Sequence, residues 1–158
     1  MKPNLGLNDN ARKTVADALA AVLADTYTLY IKTQNFHWNV TGPDFPQLHE
    51  MFGAQYEALS DAVDEIAERM RALGHFAPGG LAAFAKLTEI KDAPNNPPTS
   101  KEMVRQLMQD HETVARRARQ AEEAVDGVGD KESADLLIER LSFHGTVSYT
   151  HLTLPTKA

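Results

Sequence analysis

The sequence predicts an all-α domain of four long helices in two hairpins, joined by one long central connection that carries a short helix of its own. Three observations predict it. Apolar residues recur at three- and four-residue steps over four long stretches. Glycine and proline clusters cut the chain between those stretches. Residues 75–98 form a connection too long for a simple hairpin.

In the first stretch, residues 8–39, the positions Val15, Ala18, Leu19, Val22, Leu23, Tyr27, Tyr30 and Ile31 mark one helical face, with no proline or glycine inside. Gly42, Pro43 and Pro46 end it, and Asp44 is placed to cap a second helix that starts at Pro46. That helix carries Leu48, Phe52, Tyr56, Leu59, Val63, Ile66 and Met70 on its apolar face and stops near Gly74. Within the connection, residues 81–84 form a helical turn or two. A third helix opens at the capping-box pattern Thr99-Ser100-Lys101-Glu102, runs through Met103, Leu107, His111, Val114 and Ala118, and ends before Gly127 and Gly129. A fourth opens near Asp130 and shows Ala134, Leu137, Ile138 and Leu141 at helical spacing. Two hairpins with one long middle crossover are the layout of a ferritin-like four-helix bundle.

After His144 the pattern changes. Gly145, several β-branched residues and Pro155 stand where the fourth helix still needs about two turns, and glycine and β-branched residues are weak helix formers. The domain is therefore read as residues 1–144, with a short arm at 1–7. Residues 145–158 are read as an atypical tail, either foreign to the fold through a frameshift or sequencing read-through, or a genuine short extended tail.

The 158 residues suffice for one domain with a sizeable core. There is no cysteine, which excludes disulfides, thiolate zinc sites and thiol nucleophiles. No secretory leader opens the chain and no apolar stretch is expected to span a bilayer, so a cytoplasmic location without membrane contact follows. Sixteen basic against twenty-two acidic residues give a net charge of −6, which disfavours a general polyanion-binding surface.

Four residues of metal-ligand type stand out: His37, His49, Asp64 and Glu68. Asp64 and Glu68 are one helical turn apart on one face. His49 lies fifteen residues before Asp64, roughly 22 Å along a helix at 1.5 Å per residue. A shared site must therefore draw on two chains, and a two-fold axis supplies it by laying the histidine end of one copy against the carboxylate end of the other. Mixed imidazole and carboxylate ligands suit first-row divalent metals and iron oxidation better than structural zinc. Singly, each residue reads as readily as an exposed helix face or a hydrogen-bonded histidine. Asp126, Asp130 and Asp135 cluster around the third-to-fourth helix junction, where helix capping explains them as well as an ion path does.

The segments Asn35-Phe36-His37-Trp38-Asn39-Val40-Thr41-Gly42, Leu48-His49-Glu50-Met51-Phe52 and Asp64-Glu65-Ile66-Ala67-Glu68-Arg69 resemble the Dps family, ferritin-like proteins named for protecting DNA in starved cells. The resemblance runs over residues 8–143. It implies an intersubunit ferroxidase centre in which His37 and His49 of one subunit and Asp64 and Glu68 of its two-fold mate bind iron. It further implies a hollow dodecamer built from two-fold dimers, Fe2+ oxidation by hydrogen peroxide in preference to O2, and storage of ferric mineral. Trp38 is then an electron relay or an interface aromatic, and Asp126, Asp130 and Asp135 line an iron-entry pore. Many members carry a carboxylate one turn after the second histidine. Gly53 stands there in this chain, so of two iron positions the second is left without that ligand.

The rival class is a non-enzymatic, sequence-independent DNA-compacting protein, which would place the chain on the nucleoid. Its basis is thin: Lys2, Arg12 and Lys13 are the only basic residues before Lys32, and Arg116, Arg117 and Arg119 share their helix with Glu112, Glu122 and Glu123.

Overall fold

A computed structural model describes residues 2–154; Met1 and residues 155–158, including the Pro155 of the expected break, lie outside the described residues. Its elements are α1 (Asp9–Asn39), α2 (Phe45–Ala72), α3 (Leu81–Leu87), α4 (Ser100–Gly127) and α5 (Lys131–Thr153). No strand occurs among the described residues. α1 packs on α2 and α4 on α5 as hairpins, α1 also meets α4, and α3 in the crossover lies against α1. This is the predicted four-helix bundle with its short crossover helix.

The helix ends follow local chemistry. Asn8 caps α1 by accepting from the Ala11 N–H at 2.8 Å. Thr99 caps α4 by accepting from the Glu102 N–H at 3.3 Å, but the Glu102 carboxylate turns forward to Arg105 and does not close the capping box. Asp44 takes the N-cap position of α2 without a side-chain capping bond, and the helix begins at Phe45, one residue before Pro46. Gly74, at φ 86°, ends α2 in the left-handed conformation that glycine adopts without strain.

Two apolar layers fill the bundle. Val15, Leu19, Val22, Leu23, Ile66, Met70, Leu73, Val125 and Leu137 make one, with Phe84 of α3 closing it. Leu29, Phe36, Leu48, Phe52, Leu59, Met103 and Leu107 make the other. α1 runs through both; by length and composition alone it is apolar enough to cross a membrane, but 56% of that stretch is buried inside the bundle. Its apolar side chains are instead core, and its buried Asp25 and Lys32 are paired with Arg117 and Asp110. Asp25 also accepts from the Thr88 hydroxyl and the Glu89 N–H, both at 2.8 Å, and so ties the crossover to the bundle.

The expected break after His144 does not occur, because α5 continues to Thr153. Val147, Ser148 and His151 are buried. Thr150 returns its hydroxyl to the Thr146 carbonyl at 2.9 Å. Packing along one face outweighs the low propensity of Gly145 and the threonines, each worth less than about 1 kcal/mol.

A histidine layer crosses the bundle beside Leu107 and Val114. His111 and His144, both fully buried, meet Nδ1 to Nδ1 at 2.9 Å, so one ring donates, the other accepts, and both are neutral. Burial holds His111 well below its ordinary 6.5, with the nearby His144 and His151 adding to the effect. Burial, then the Arg140 charge, pushes His144 down to about 3. Unfolded, these rings take up a proton near 6.5; folded, they refuse it. Their contribution to stability is therefore whole above that pH and is lost as pH falls towards the folded values. The urea midpoint should drop as pH is lowered from 6.5 to 4. His144→Gln should flatten that dependence by up to one proton's worth, and an unchanged profile in the variant would contradict the assignment.

Candidate metal centre

The turn between α1 and α2, with Gly42 at φ 104°, folds the end of one helix back on the start of the next and brings His37 beside His49. Their rings stack at 3.8 Å between centroids and 18° between planes. Each ring holds the other's backbone. His37 Nδ1 donates to the His49 carbonyl at 2.6 Å, and His49 Nδ1 donates to the His37 carbonyl at 2.8 Å. A carbonyl only accepts, so in this arrangement each Nδ1 carries the hydrogen. A neutral ring with hydrogen on Nδ1 has its lone pair on Nε2, and a second bond of this kind is what orients imidazole metal ligands.

The surroundings hold this pair. Phe45 stacks on His49 at 5.0 Å, and the Tyr56 ring meets His37 edge to face at 5.2 Å. Gly53 lies directly against His37, where a Cβ would come within 3.1 Å of Cε1. These contacts were not read from the sequence. The signal was helical spacing, since Phe45 stands four residues before His49 and Tyr56 seven after it.

Asp64 and Glu68 stand farther along α2, one turn apart and exposed, with no hydrogen-bond or ion-pair partner among the described residues. α2 is one unbroken helix between His49 and Glu68, so the two halves of the quartet do not meet. Among the described residues no three histidine, aspartate or glutamate side chains of one chain converge on a metal position. Trp38, next to His37, is 64% exposed.

The acids expected near a pore divide. Asp130 is 3% exposed, caps α5 through the Ser133 N–H and hydroxyl, and accepts from Arg69 at 2.8 and 3.1 Å. Burial would raise its carboxyl; the Ser133 and Arg69 hydrogen bonds outweigh that and hold it below the usual range. Asp126 pairs with Lys131 at 2.6 Å, and Asp135 is exposed. The amino-terminal cations are also engaged. Lys2 bonds Asp9 and Lys13 bonds Asp17, each at 2.6 Å, while Arg12 is buried between Asp9 and the Leu73 carbonyl.

Comparison with known proteins places this geometry. The ferritin-like domain family matches residues 16–144. The DNA protection during starvation protein of Brevibacillus brevis is 35% identical over 130 residues, covering 79% of this chain and 87% of that one. This chain belongs to the ferritin-like Dps family. An uncharacterised low temperature-induced protein of Nostoc is 36% identical and covers 92% of this chain and 82% of its own. Among solved structures, DpsC from Streptomyces coelicolor superposes with a TM-score of 0.94 at 25% identity, over 100% of this chain and 93% of that one. In this Dps fold the histidine pair is locked across the α1–α2 hairpin, whereas the carboxylate pair stands exposed farther along α2.

Proposed function

We propose that the chain oxidises Fe2+ at sites shared between two-fold related subunits, stores the ferric product inside a hollow dodecamer in the cytoplasm, and so protects DNA from oxidative damage. The observation that carries this reading is the reciprocal His37–His49 lock, which leaves two Nε2 lone pairs without a partner among the described residues, while Asp64 and Glu68, likewise without one there, stand out of reach farther along α2. Two imidazoles from one subunit and two carboxylates from its mate supply the mixed ligand set that Fe2+ accepts and Fe3+ favours more strongly through oxygen. With hydrogen peroxide as oxidant, two Fe2+ ions give one electron each, two protons are taken up, and the O–O bond breaks to two waters. O2 is the slower alternative. With Gly53 in place of a carboxylate, one iron position is well provided and the second relies on water. Trp38, exposed beside His37, lies where it would pass an oxidising equivalent or face the mate.

Asp126 and Asp135 remain candidates for an iron path, and Asp130 contributes only through its field, since its oxygens are occupied by Ser133 and Arg69. We also read residues 145–158 as a non-native replacement in sequence, although residues up to Thr153 pack as the last turns of α5. In support, the family match stops at residue 144, and Tyr149 and Leu152 lie exposed on the final turns.

Fe2+ oxidation followed by absorbance after peroxide addition tests the site. The double variant His37→Ala/His49→Ala should lose the rapid phase while eluting at the wild-type size, and an undiminished rate rejects the assignment. DNA binding is secondary, because Lys2, Arg12 and Lys13 are all paired within the chain. A gel-shift titration should show retention at low salt at most and none at physiological salt; retention that survives physiological salt would favour the DNA-compacting reading.

A further inference from the structure

The proposed ligands Asp64 and Glu68 do not account for the arginine that follows them. Arg69 is the most heavily engaged cation in the chain, although it stands one residue past Glu68 in the closing turns of α2. Its Nε donates to the Ser133 hydroxyl at 2.8 Å and Nη1 to Glu132 at 2.7 Å. Nη2 donates to both Asp130 oxygens, at 2.8 and 3.1 Å. The side chain is 14% exposed, and the Asp130 carboxylate beneath it is 3% exposed.

All three partners belong to the cap and first turn of α5. α2 therefore has a polar clamp to another hairpin at the very place where a helix end would otherwise fray. A planar guanidinium with its donors in a fixed fork sets direction as well as distance, which an ammonium cannot do. Glu68 rides on the clamped turn, and Asp64 one turn before it, while neither side chain has a hydrogen bond of its own among the described residues.

We propose that Arg69 is a positioning residue of the metal site, fixing the carboxylate half as the mutual hydrogen bonds of His37 and His49 fix the imidazole half. The inference rests on the intersubunit site proposed above. Arg69 touches no metal; it acts by holding the Glu68 turn against the α5 N-terminus. The site then has two supports on two different helix junctions, one at each end of α2.

The test is Co2+ binding to the intact assembly without oxidant, read from its visible ligand-field spectrum, for wild type, Glu68→Gln, Arg69→Met and the double variant. Arg69→Met should weaken Co2+ binding roughly tenfold and alter the bands, as loss of an outer support does at other metal sites. The loss should disappear in the Glu68→Gln background, where there is no carboxylate left to position. Wild-type affinity in Arg69→Met, or a loss that adds in full to that of Glu68→Gln, overturns the inference. If Glu68→Gln itself binds Co2+ as wild type does, the underlying site reading falls instead. Should Arg69→Met fail to assemble, Ser133→Ala removes the Nε partner, together with the hydroxyl's bond to Asp130, and should weaken binding in the same direction, while unchanged affinity there counts against the clamp.

Discussion

The mutual hydrogen bonds between His37 and His49 are the interaction on which the rest of the account depends. Each imidazole uses Nδ1 to hold the other residue's carbonyl, at 2.6 and 2.8 Å, so the two helices are joined at their hairpin and two Nε2 lone pairs are presented together. Phe45, Tyr56 and Gly53 surround the pair with an aromatic face, an aromatic edge and bare backbone. One local arrangement thus closes the α1–α2 hairpin and, on the proposed reading, would orient two ligands. Ligand orientation fixed in advance avoids an ordering cost when a metal ion arrives.

The second constraint is length. A continuous α2 separates His49 from Asp64 by fifteen residues, and nothing in the bundle bends it back. On the proposed reading, a chain with one half-site at the α1–α2 hairpin and the other far along α2 would complete the site with a second copy. Charge follows the same economy. Arg69 is occupied by Asp130, Glu132 and Ser133, and Arg12 by Asp9 and Leu73. Lys32 is taken up by the half-buried Asp110 and Arg117 by the buried Asp25. These four cations tie separate parts of the fold together, whereas Lys86, Lys91, Lys101, Arg116 and Arg119 form no ion pair among the described residues.

Much of this was legible in the sequence because it is local. Apolar periodicity marked the helices, Thr99 marked a cap, and fifteen residues of helix between His49 and Asp64 stated the distance problem without any coordinates. What was not legible acts across the fold. Arg69 meets residues more than sixty positions away, and so does Arg12 at Leu73, so neither pairing has a short-range pattern. Asp130 read as a pore acid or a helix cap; its burial and its capture by Arg69 came only from the fold. The final helix was misjudged because glycine and threonine propensities are small beside the burial of Val147 and its neighbours. Likewise α1 is apolar enough to span a bilayer, and only its packing against three other helices shows where those side chains belong.

The central claim is that the metal centre belongs to a pair of subunits, and subunit mixing tests it most directly. One partner carries His37→Ala/His49→Ala and the other Asp64→Asn/Glu68→Gln, and neither alone should oxidise Fe2+ rapidly with peroxide. After dissociation and joint reassembly, every mixed pair holds one complete site and one empty one. Random pairing should then restore about a quarter of the wild-type rate. No recovery in verified mixed assemblies would contradict the account, as would full activity in either parent variant.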